Sequence, residues 1–293
     1  MVLVRVYGYK SDLLIDRAAE TRNIRLLHEA GYTHCLYATF NNGLAYQFLP
    51  GDVLTVESVR IPKIYKLVTK RLAQMHKLNP IHPDINQEPF IWDKTEKFMA
   101  IMPKSFTDAE KQAKFQRLIP SYAELEKEYM LLKNRLSELD NPVVFAHNDL
   151  LLGNVLYDET KNSVTFIDYE YSAYNYQAFD IANHFAEFVG LDVTDYSLYP
   201  DENFQRDWLR LYLQEYNSSH SVTESEITQL YIEVNKFVHL SHFFWGCWAL
   251  IQSEHSLIDF DFLEYAAIRF NECFNQKDQS LAQEFKEIAL EHS

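Results

Sequence analysis

The sequence predicts an α+β protein with a small β-rich amino-terminal lobe and a large, mostly helical carboxy-terminal lobe. Three observations lead to this prediction. The start of the chain alternates apolar and other residues in short runs typical of strands, whereas residues 56–78 have helical periodicity. From Gln177 onward almost every segment has the spacing of a helix. We therefore expect one lobe in residues 1–50 and the other in residues 51–293.

Short local signals define the elements of the first lobe. VLVRVYG, residues 2–8, alternates as a strand does. DRAAETRNIRLLHEAG, residues 16–31, has the pattern of a helix that ends at a glycine. CLYATFNNGLAYQFL, residues 35–49, contains two strands around an Asn-Asn-Gly turn. The predicted order is strand, helix, hairpin.

The second lobe has mostly helical signals. Three prolines make residues 79–89 a loop. Short apolar runs at 142–146 and 163–167 are typical of buried strands. The predicted helices cover residues 56–78, 107–118, 121–139, 201–216, 223–252 and 262–274.

Composition limits the classes of partner. The net charge of −15 argues against nucleic acid or an anionic membrane surface as the main partner. The three cysteines form no CxxC motif, which favours reduced thiols and a cytoplasmic protein. No apolar run approaches the length of about 18 residues that a membrane helix needs, so we expect no membrane insertion.

The segment HNDLLLGNVLY, residues 147–157, carries the first chemical signal. Asp149 and Asn154 have the D-x-x-x-x-N spacing of a kinase catalytic loop. In such a loop the aspartate accepts or orients the proton of the attacking hydroxyl, and the asparagine binds Mg²⁺. Taken alone, the pair is better explained as two turn-forming side chains.

Asp168 changes that interpretation. It ends the apolar strand SVTFI, at the place of a metal-binding aspartate like that of a DFG motif. A strand-end carboxylate beside a loop aspartate and asparagine supplies the oxygen ligands that suit Mg²⁺. An aspartate that only caps a turn is the alternative. The two motifs in this order favour phosphoryl transfer.

A third signal lies near the amino terminus. Arg5 interrupts an apolar strand and therefore needs a partner. Kinase-like folds carry a cation on a strand of the amino-terminal lobe, where it contacts nucleotide phosphates. Glu20 shares a helical face with Ile24 and Leu27, so we expect it to point inward and orient Arg5. An exposed arginine on an edge strand is the alternative.

Three longer segments resemble the choline/ethanolamine kinases: HNDLLLGNVLY, FIDYEYSAYNYQAFDIANHFAEF and SHFFWGCWALIQSEHSLIDFDFLEYAAIRF. FNNGLAYQFLPGD, and the two leucines after Asp149, are more similar to the ethanolamine than to the choline kinases. The resemblance implies a eukaryotic protein-kinase-like bilobal fold. It also implies Mg²⁺-dependent transfer of the ATP γ-phosphate to ethanolamine, for phosphatidylethanolamine synthesis. A choline kinase, or an enzyme of mixed preference, is the nearest alternative.

The resemblance further implies roles for single residues. Asp149 corresponds to the catalytic aspartate. The positions implied for the metal are Asn154, Asp168 and Glu187. The positions implied for ATP are Arg5, Glu20, Gln47 and Leu49. We also expect Asp180 to accept backbone N–H groups of the catalytic loop, since a buried carboxylate needs donors. His147 is expected to support that loop.

An amino alcohol needs a cation site, and aromatic faces attract ammonium groups. Trp245 and Trp248 lie three positions apart, on one helical face. Core packing would explain them equally well without the resemblance. The aromatic positions that match the family's pocket are Tyr171, Trp245, Trp248, Phe260 and Tyr265. A primary ammonium also needs acceptors, which Glu170 or another nearby carboxylate would supply.

One departure from the family affects the functional prediction. The family usually begins with two further strands, whose Gly-Gly-Ile-Thr-Asn loop covers the nucleotide phosphates, and this sequence begins at the third strand. Backbone N–H groups of such a loop help to hold phosphate. We therefore expect weakened ATP binding and an exposed sheet edge. The alternative of another class is a catalytically impaired short isoform that acts as a binding or regulatory protein.

Overall fold

The strands form three small antiparallel sheets. The computed structural model describes residues 1–80, 82–191 and 194–275. Within them the sheets have the orders β1–β3–β2, β4–β6–β7 and β5–β8. The strands are β1 (Val2–Val6), β2 (Leu36–Phe40), β3 (Gly43–Gln47), β4 (Asp52–Val53), β5 (Val143–Ala146), β6 (Val155–Asp158), β7 (Ser163–Phe166) and β8 (Ala173–Tyr176).

Helices make up most of the remaining structure. They are α1 (Arg17–Glu29), α2 (Pro62–His76), α3 (Phe90–Ile101), α4 (Ala109–Leu118), α5 (Tyr122–Ser137), α6 (Gln177–Ala186), α7 (Glu202–Tyr216), α8 (Glu224–His255) and α9 (262–275). The predicted start of the second helix at residue 56 is wrong. Pro62 occupies its first turn, where a missing N–H costs nothing, and the preceding residues form a short 3₁₀ turn.

The predicted strand, helix and hairpin at the amino terminus are confirmed. Central β3 pairs Leu44 with Arg5 of β1. A Cβ atom at Gly43 would overlap the carbonyl oxygen of Arg5, so this close approach requires glycine. The Asp16 side chain caps α1 by accepting the N–H of Ala19 at 2.9 Å.

β1 lies at an edge of its sheet in the described part of the chain. The side chains of Val2, Val4 and Val6 are all more than half exposed. The predicted exposed edge is therefore confirmed.

The two other sheets hold the chemical motifs. The predicted strands at 142–146 and 163–167 are confirmed as β5 and β7. β5 ends just before His147, and β6 and β7 form a hairpin that leads to Asp168. The register pairs Val155 with Phe166, and the N–H of Ile167 donates to the carbonyl of Asn154 at 3.0 Å. The hairpin therefore brings the ends of the two motifs side by side.

The chain divides into two compact units. One combines Met1–Phe90 with Asn141–Val234, and the other combines Ile91–Asp140 with the chain from Asn235 onward. The predicted lobe boundary at residue 50 is a different division and stays a prediction. A search of the described helices found none with the length and apolar character needed to cross a membrane.

The second unit has an aromatic and aliphatic helical core. Phe98 of α3 stacks on Phe244 of α8, with 4.9 Å between ring centroids. Gly246 of α8 faces the ring of Phe270 of α9, where a Cβ atom would come within 3.0 Å of three ring carbons. Glycine at this position therefore permits the two helices to pack closely.

Candidate active site

The catalytic-loop candidate lies between β5 and β6. The Asn154 amide donates to the backbone carbonyl of Asp149 at 2.8 Å and to its carboxylate at 3.4 Å. This geometry fixes the two predicted side chains relative to each other. It also leaves the Asn154 side-chain oxygen available to a ligand, since the amide nitrogen makes both contacts.

Asp180 holds the loop from behind. Its carboxylate accepts the backbone N–H groups of His147 at 2.9 Å and of Asn148 at 2.7 Å. The predicted contact is therefore confirmed. Asn148 adopts a left-handed backbone conformation with φ 65°, which an asparagine tolerates better than most residues. Its side chain is held by Asn175 at 2.8 Å.

His147 supports the same loop, as predicted. Its ring Nε2–H donates to the carbonyl of Ile167 at 3.0 Å, and its Nδ1 accepts the N–H of Asp149 at 3.3 Å. This pair of contacts requires the neutral tautomer with the proton on Nε2. Burial lowers the pKa of His147, which agrees with a neutral ring.

Sequence reasoning missed His76. This residue ends α2, and its Nε2 lies 2.8 Å from the carboxylate of Asp180 while its Nδ1 lies 2.6 Å from the Tyr212 hydroxyl. Burial alone would raise the pKa of Asp180, but the hydrogen bond and charge of His76 and the loop N–H groups lower it. The only available signal was a histidine on the apolar face of α2.

Asp168 follows β7 in a strained conformation. Its φ of 64° lies in the left-handed region, which is uncommon outside glycine and clusters at functional sites. Its side chain is 31% exposed, so the carboxylate remains accessible.

Five charged side chains form the arginine–carboxylate cluster: Arg5, Arg17, Glu20, Asp168 and Glu170. Nη1 of Arg5 donates to Asp168 at 2.7 Å and to Glu20 at 3.2 Å. Nη2 of Arg5 donates to Glu170 at 2.6 Å. The predicted contact of Arg5 with Glu20 is confirmed, and both residues' roles toward ATP stay predictions. Sequence reasoning missed Arg17, which contacts Glu20 and Glu170.

Asp149 lies in an acidic environment. Burial raises its pKa well above the ordinary value, and the charges of Asp168, Glu170 and Glu187 raise it further. Glu187 thus acts electrostatically on Asp149, and its role toward the metal stays a prediction. Such a group of acids favours a bound cation, because a cation removes their mutual repulsion.

The donor set fits a hard divalent cation. Asn154 and Asp168 present an amide oxygen and a carboxylate on adjacent segments, and Mg²⁺ prefers such oxygen ligands. Glu20, Asp168 and Glu170 also have carboxylate oxygens within 4.8 Å of one another. Asp168 is the most accessible of these three ligands, because its side chain is 31% exposed and those of Glu20 and Glu170 are 1% and 15% exposed.

A cleft of about 280 Å³ adjoins the arginine–carboxylate cluster. Its walls include Gln47 and Leu49, two of the positions implied for ATP, together with Leu44, Leu156 and Ile167. In the described part of the chain, the backbone N–H and C=O of Leu49 have no hydrogen-bond partner. The lining of the cleft thus combines apolar side chains and the backbone of Leu49 with the charged side chains of Arg5, Glu20 and Asp168. This arrangement suits an aromatic base attached to phosphates.

The predicted aromatic positions form a chain of rings in the second compact unit. Ring centroids lie 5.6 Å apart for Trp245 and Trp248, and 5.7 Å apart for Phe260 and Tyr265. Phe262 joins the two pairs, at 5.7 Å from Trp248 and 4.9 Å from Phe260. Sequence reasoning missed Phe262, although it stands among the aromatic residues of the same segment.

Two predicted substrate residues belong to the first compact unit. Tyr171 is buried, and its carbonyl accepts the Asn148 side-chain amide at 3.0 Å. Glu170 contacts Arg5 and Arg17 within the arginine–carboxylate cluster. Its contact with a substrate ammonium stays a prediction.

One tight loop carries an aspartate and an asparagine, a second aspartate follows the next hairpin, and an arginine pairs with a glutamate. This arrangement is typical of phosphotransferases of the kinase type. The family model described as Choline/ethanolamine kinase matches residues 1–274. The chain belongs to the choline/ethanolamine kinase family.

Individual relatives support the same family assignment. The chain is 49% identical over 285 residues to the ethanolamine kinase of Drosophila melanogaster, covering 96% of this chain and 55% of that protein. It is 46% identical over 286 residues to ethanolamine kinase 1 of Mus musculus, covering 96% of this chain and 78% of that protein. The chain thus spans just over half the length of the Drosophila relative.

A solved structure has the same fold. The Plasmodium vivax ethanolamine kinase matches with a TM-score of 0.83 at 28% identity, over 93% of this chain and 75% of that one. The predicted kinase-like fold class is therefore confirmed.

Proposed function

We propose that this chain transfers the γ-phosphate of ATP to the hydroxyl group of ethanolamine, with Mg²⁺ as the divalent cation. The observation that carries the proposal is the fixed geometry of Asp149 and Asn154 beside Asp168. The names of the relatives, ethanolamine kinases at 46–49% identity, support the choice of acceptor. The three cysteines, all in the described part of the chain, form no disulfide, which supports a reducing compartment such as the cytoplasm.

In the proposed mechanism Asp149 aligns the acceptor hydroxyl and receives its proton. Burial, together with the acids around it, raises the pKa of Asp149, which makes the carboxylate a better proton acceptor. Asn154, Asp168 and Glu187 would hold the metal, which when bound neutralises charge on the phosphates. Arg5 contacts phosphate oxygens, and Glu20 orients Arg5. The backbone at Gln47 and Leu49 meets the adenine ring.

The ammonium group of ethanolamine is assigned to the aromatic positions. Trp245, Trp248, Phe260 and Tyr265 would supply the ring faces, and Tyr171 is the further aromatic position that the family resemblance implies. Glu170, or another nearby carboxylate, accepts hydrogen bonds from the primary ammonium.

The direct test is ADP formation by the purified chain with Mg-ATP and ethanolamine, choline or no acceptor. We expect ethanolamine-dependent turnover, slower turnover with choline, and loss of turnover when EDTA removes the metal. Equal rates with both amino alcohols would indicate mixed preference. A folded sample that binds ethanolamine but forms no ADP would support the non-catalytic binding protein and contradict the proposed enzyme.

Replacing Trp248 by leucine is expected to raise KM for ethanolamine about fivefold, the effect of losing a cation–π contact of roughly 1 kcal/mol. KM for ATP should remain unchanged. The matched control is Tyr122→Leu, a half-buried aromatic residue outside the ring chain. Steady-state kinetics with each substrate varied, together with Tm, check the prediction. An equal rise in both KM values would contradict the assignment of Trp248 to the amino alcohol.

A further inference from the structure

The arginine–carboxylate cluster contains one more acid than base. Glu20, Asp168 and Glu170 are matched by the guanidinium groups of Arg5 and Arg17. Glu20 is the most buried of them, with only 1% of its side chain exposed. A buried carboxylate that loses its cation is strongly destabilised. The stability of each buried acid in the cluster therefore depends on which arginine it contacts.

In the structure Arg5 is engaged with protein carboxylates. It contacts Asp168, Glu170 and Glu20, all within 3.2 Å. To contact phosphate oxygens, as the proposed function requires, Arg5 has to weaken these contacts. Asp168 has a second source of charge neutralisation, since it would then face the metal. Glu20 and Glu170 are not proposed as metal ligands, so they need another protein cation when Arg5 turns to the phosphates.

Arg17 contacts the two acids that Arg5 would leave. Its Nη1 donates to Glu20 at 2.8 Å and to Glu170 at 3.2 Å, and the structure records no contact with Asp168. Two further contacts hold the guanidinium in place. Nη2 donates to Ser11 Oγ at 2.7 Å, and the group lies 4.0 Å from the ring centroid of Tyr7. Arg17 is therefore fixed independently of Arg5.

We propose that Arg17 is a positioning residue for nucleotide binding: it keeps Glu20 and Glu170 neutralised, so that Arg5 is free to bind the ATP phosphates. This inference rests on the proposed function. Arg17 itself does not contact the nucleotide. Without Arg17, both glutamates would compete with the phosphates for Arg5, and ATP binding would weaken.

The test is the Kd of Mg-ATP, measured by titration calorimetry without amino alcohol. Arg17→Gln is expected to raise Kd about tenfold. The variant loses the charge-assisted hydrogen bonds to Glu20 and Glu170, and these acids then compete with the phosphates for Arg5. Arg17→Lys keeps the charge and should raise the Kd of Mg-ATP only about threefold. Some affinity is lost because an ammonium group lacks the two-pronged geometry of the guanidinium. The matched control is Arg25→Gln, an exposed arginine of the same helix, which should bind as the wild type does.

A double variant separates positioning from a merely structural role. Arg17→Gln combined with Glu170→Gln removes one competing acid, so its Kd should return to within about threefold of the wild-type value. A double variant that binds no better than Arg17→Gln would overturn the proposal. An Arg17→Gln protein of wild-type Tm and wild-type Kd would do the same. A wild-type chain that binds no Mg-ATP would instead overturn the proposed function, and this inference with it.

Discussion

Replacing Asp149 by alanine lowers kcat by about a thousandfold, within the range of general acid–base catalysis. The Kd of Mg-ATP changes little, because the predicted nucleotide contacts come from other residues. The loss arises from the acceptor hydroxyl, which is no longer aligned and has no group to receive its proton. ADP formation under saturating ethanolamine and calorimetric titration with Mg-ATP measure the two quantities.

The control for this variant is Asp207→Ala, an exposed aspartate of α7 in the same compact unit. It should retain wild-type kcat and Kd. An Asp149→Ala enzyme with undiminished kcat would contradict the catalytic role. A variant that lost ATP binding and turnover together would show that Asp149 acts on the nucleotide instead of on the acceptor.

Asp149 also makes the free energy of unfolding depend on pH. Its pKa is raised in the folded state by burial and by neighbouring acids. The free energy of unfolding therefore falls as pH rises from the pKa of an unfolded aspartate, about 3.9, through the folded-state value. Asp149→Asn removes this decline, so the unliganded variant should be more stable than the wild type at pH 8. Urea denaturation at pH 5 and pH 8 measures the difference.

Asp180→Ala produces the opposite effect on stability. We expect the free energy of unfolding to fall by about 3–5 kcal/mol, because each buried donor left without its acceptor costs about 1–3 kcal/mol. The N–H groups of His147 and Asn148 and the ring of His76 all lose their acceptor in a site closed to water. A whole domain is stabilised by only about 5–15 kcal/mol, so this loss would remove a large part of the free energy of unfolding.

The pH dependence of this contribution is also opposite to that of Asp149. The pKa of Asp180 is lowered in the folded state, so its stabilisation is present above about pH 3.9 and is lost as pH falls through the folded-state value. Urea denaturation at pH 7 measures the loss for Asp180→Ala. Asp180→Asn keeps one acceptor oxygen and should lie between the alanine variant and the wild type. A loss of less than about 0.5 kcal/mol, typical of an exposed site such as Asp207, would contradict the role of Asp180.

The sequence alone was sufficient for the local chemistry of this protein. Asp149 and Asn154 share one short loop, so their spacing determines that they meet, and the apolar strand before Asp168 positions it nearby. The cap of α1 and the turn before Gly43 are equally local. Strand β4 escaped prediction because it has only two residues, and β6 and β8 escaped because their sequences, VLYD and AYNY, are not continuous apolar runs.

Only the tertiary structure decided which distant charged groups pair. His76 meets Asp180 across 104 positions of sequence, and Arg17 meets Glu170 across 153. Neither pair has a periodicity or a spacing that a sequence could display, because chain folding and burial bring them together. The opposite pKa shifts of Asp149 and Asp180 arise in the same way. Burial raises the pKa of either carboxylate, and the surrounding groups set the final direction: acids raise it further for Asp149, and hydrogen-bond donors lower it for Asp180.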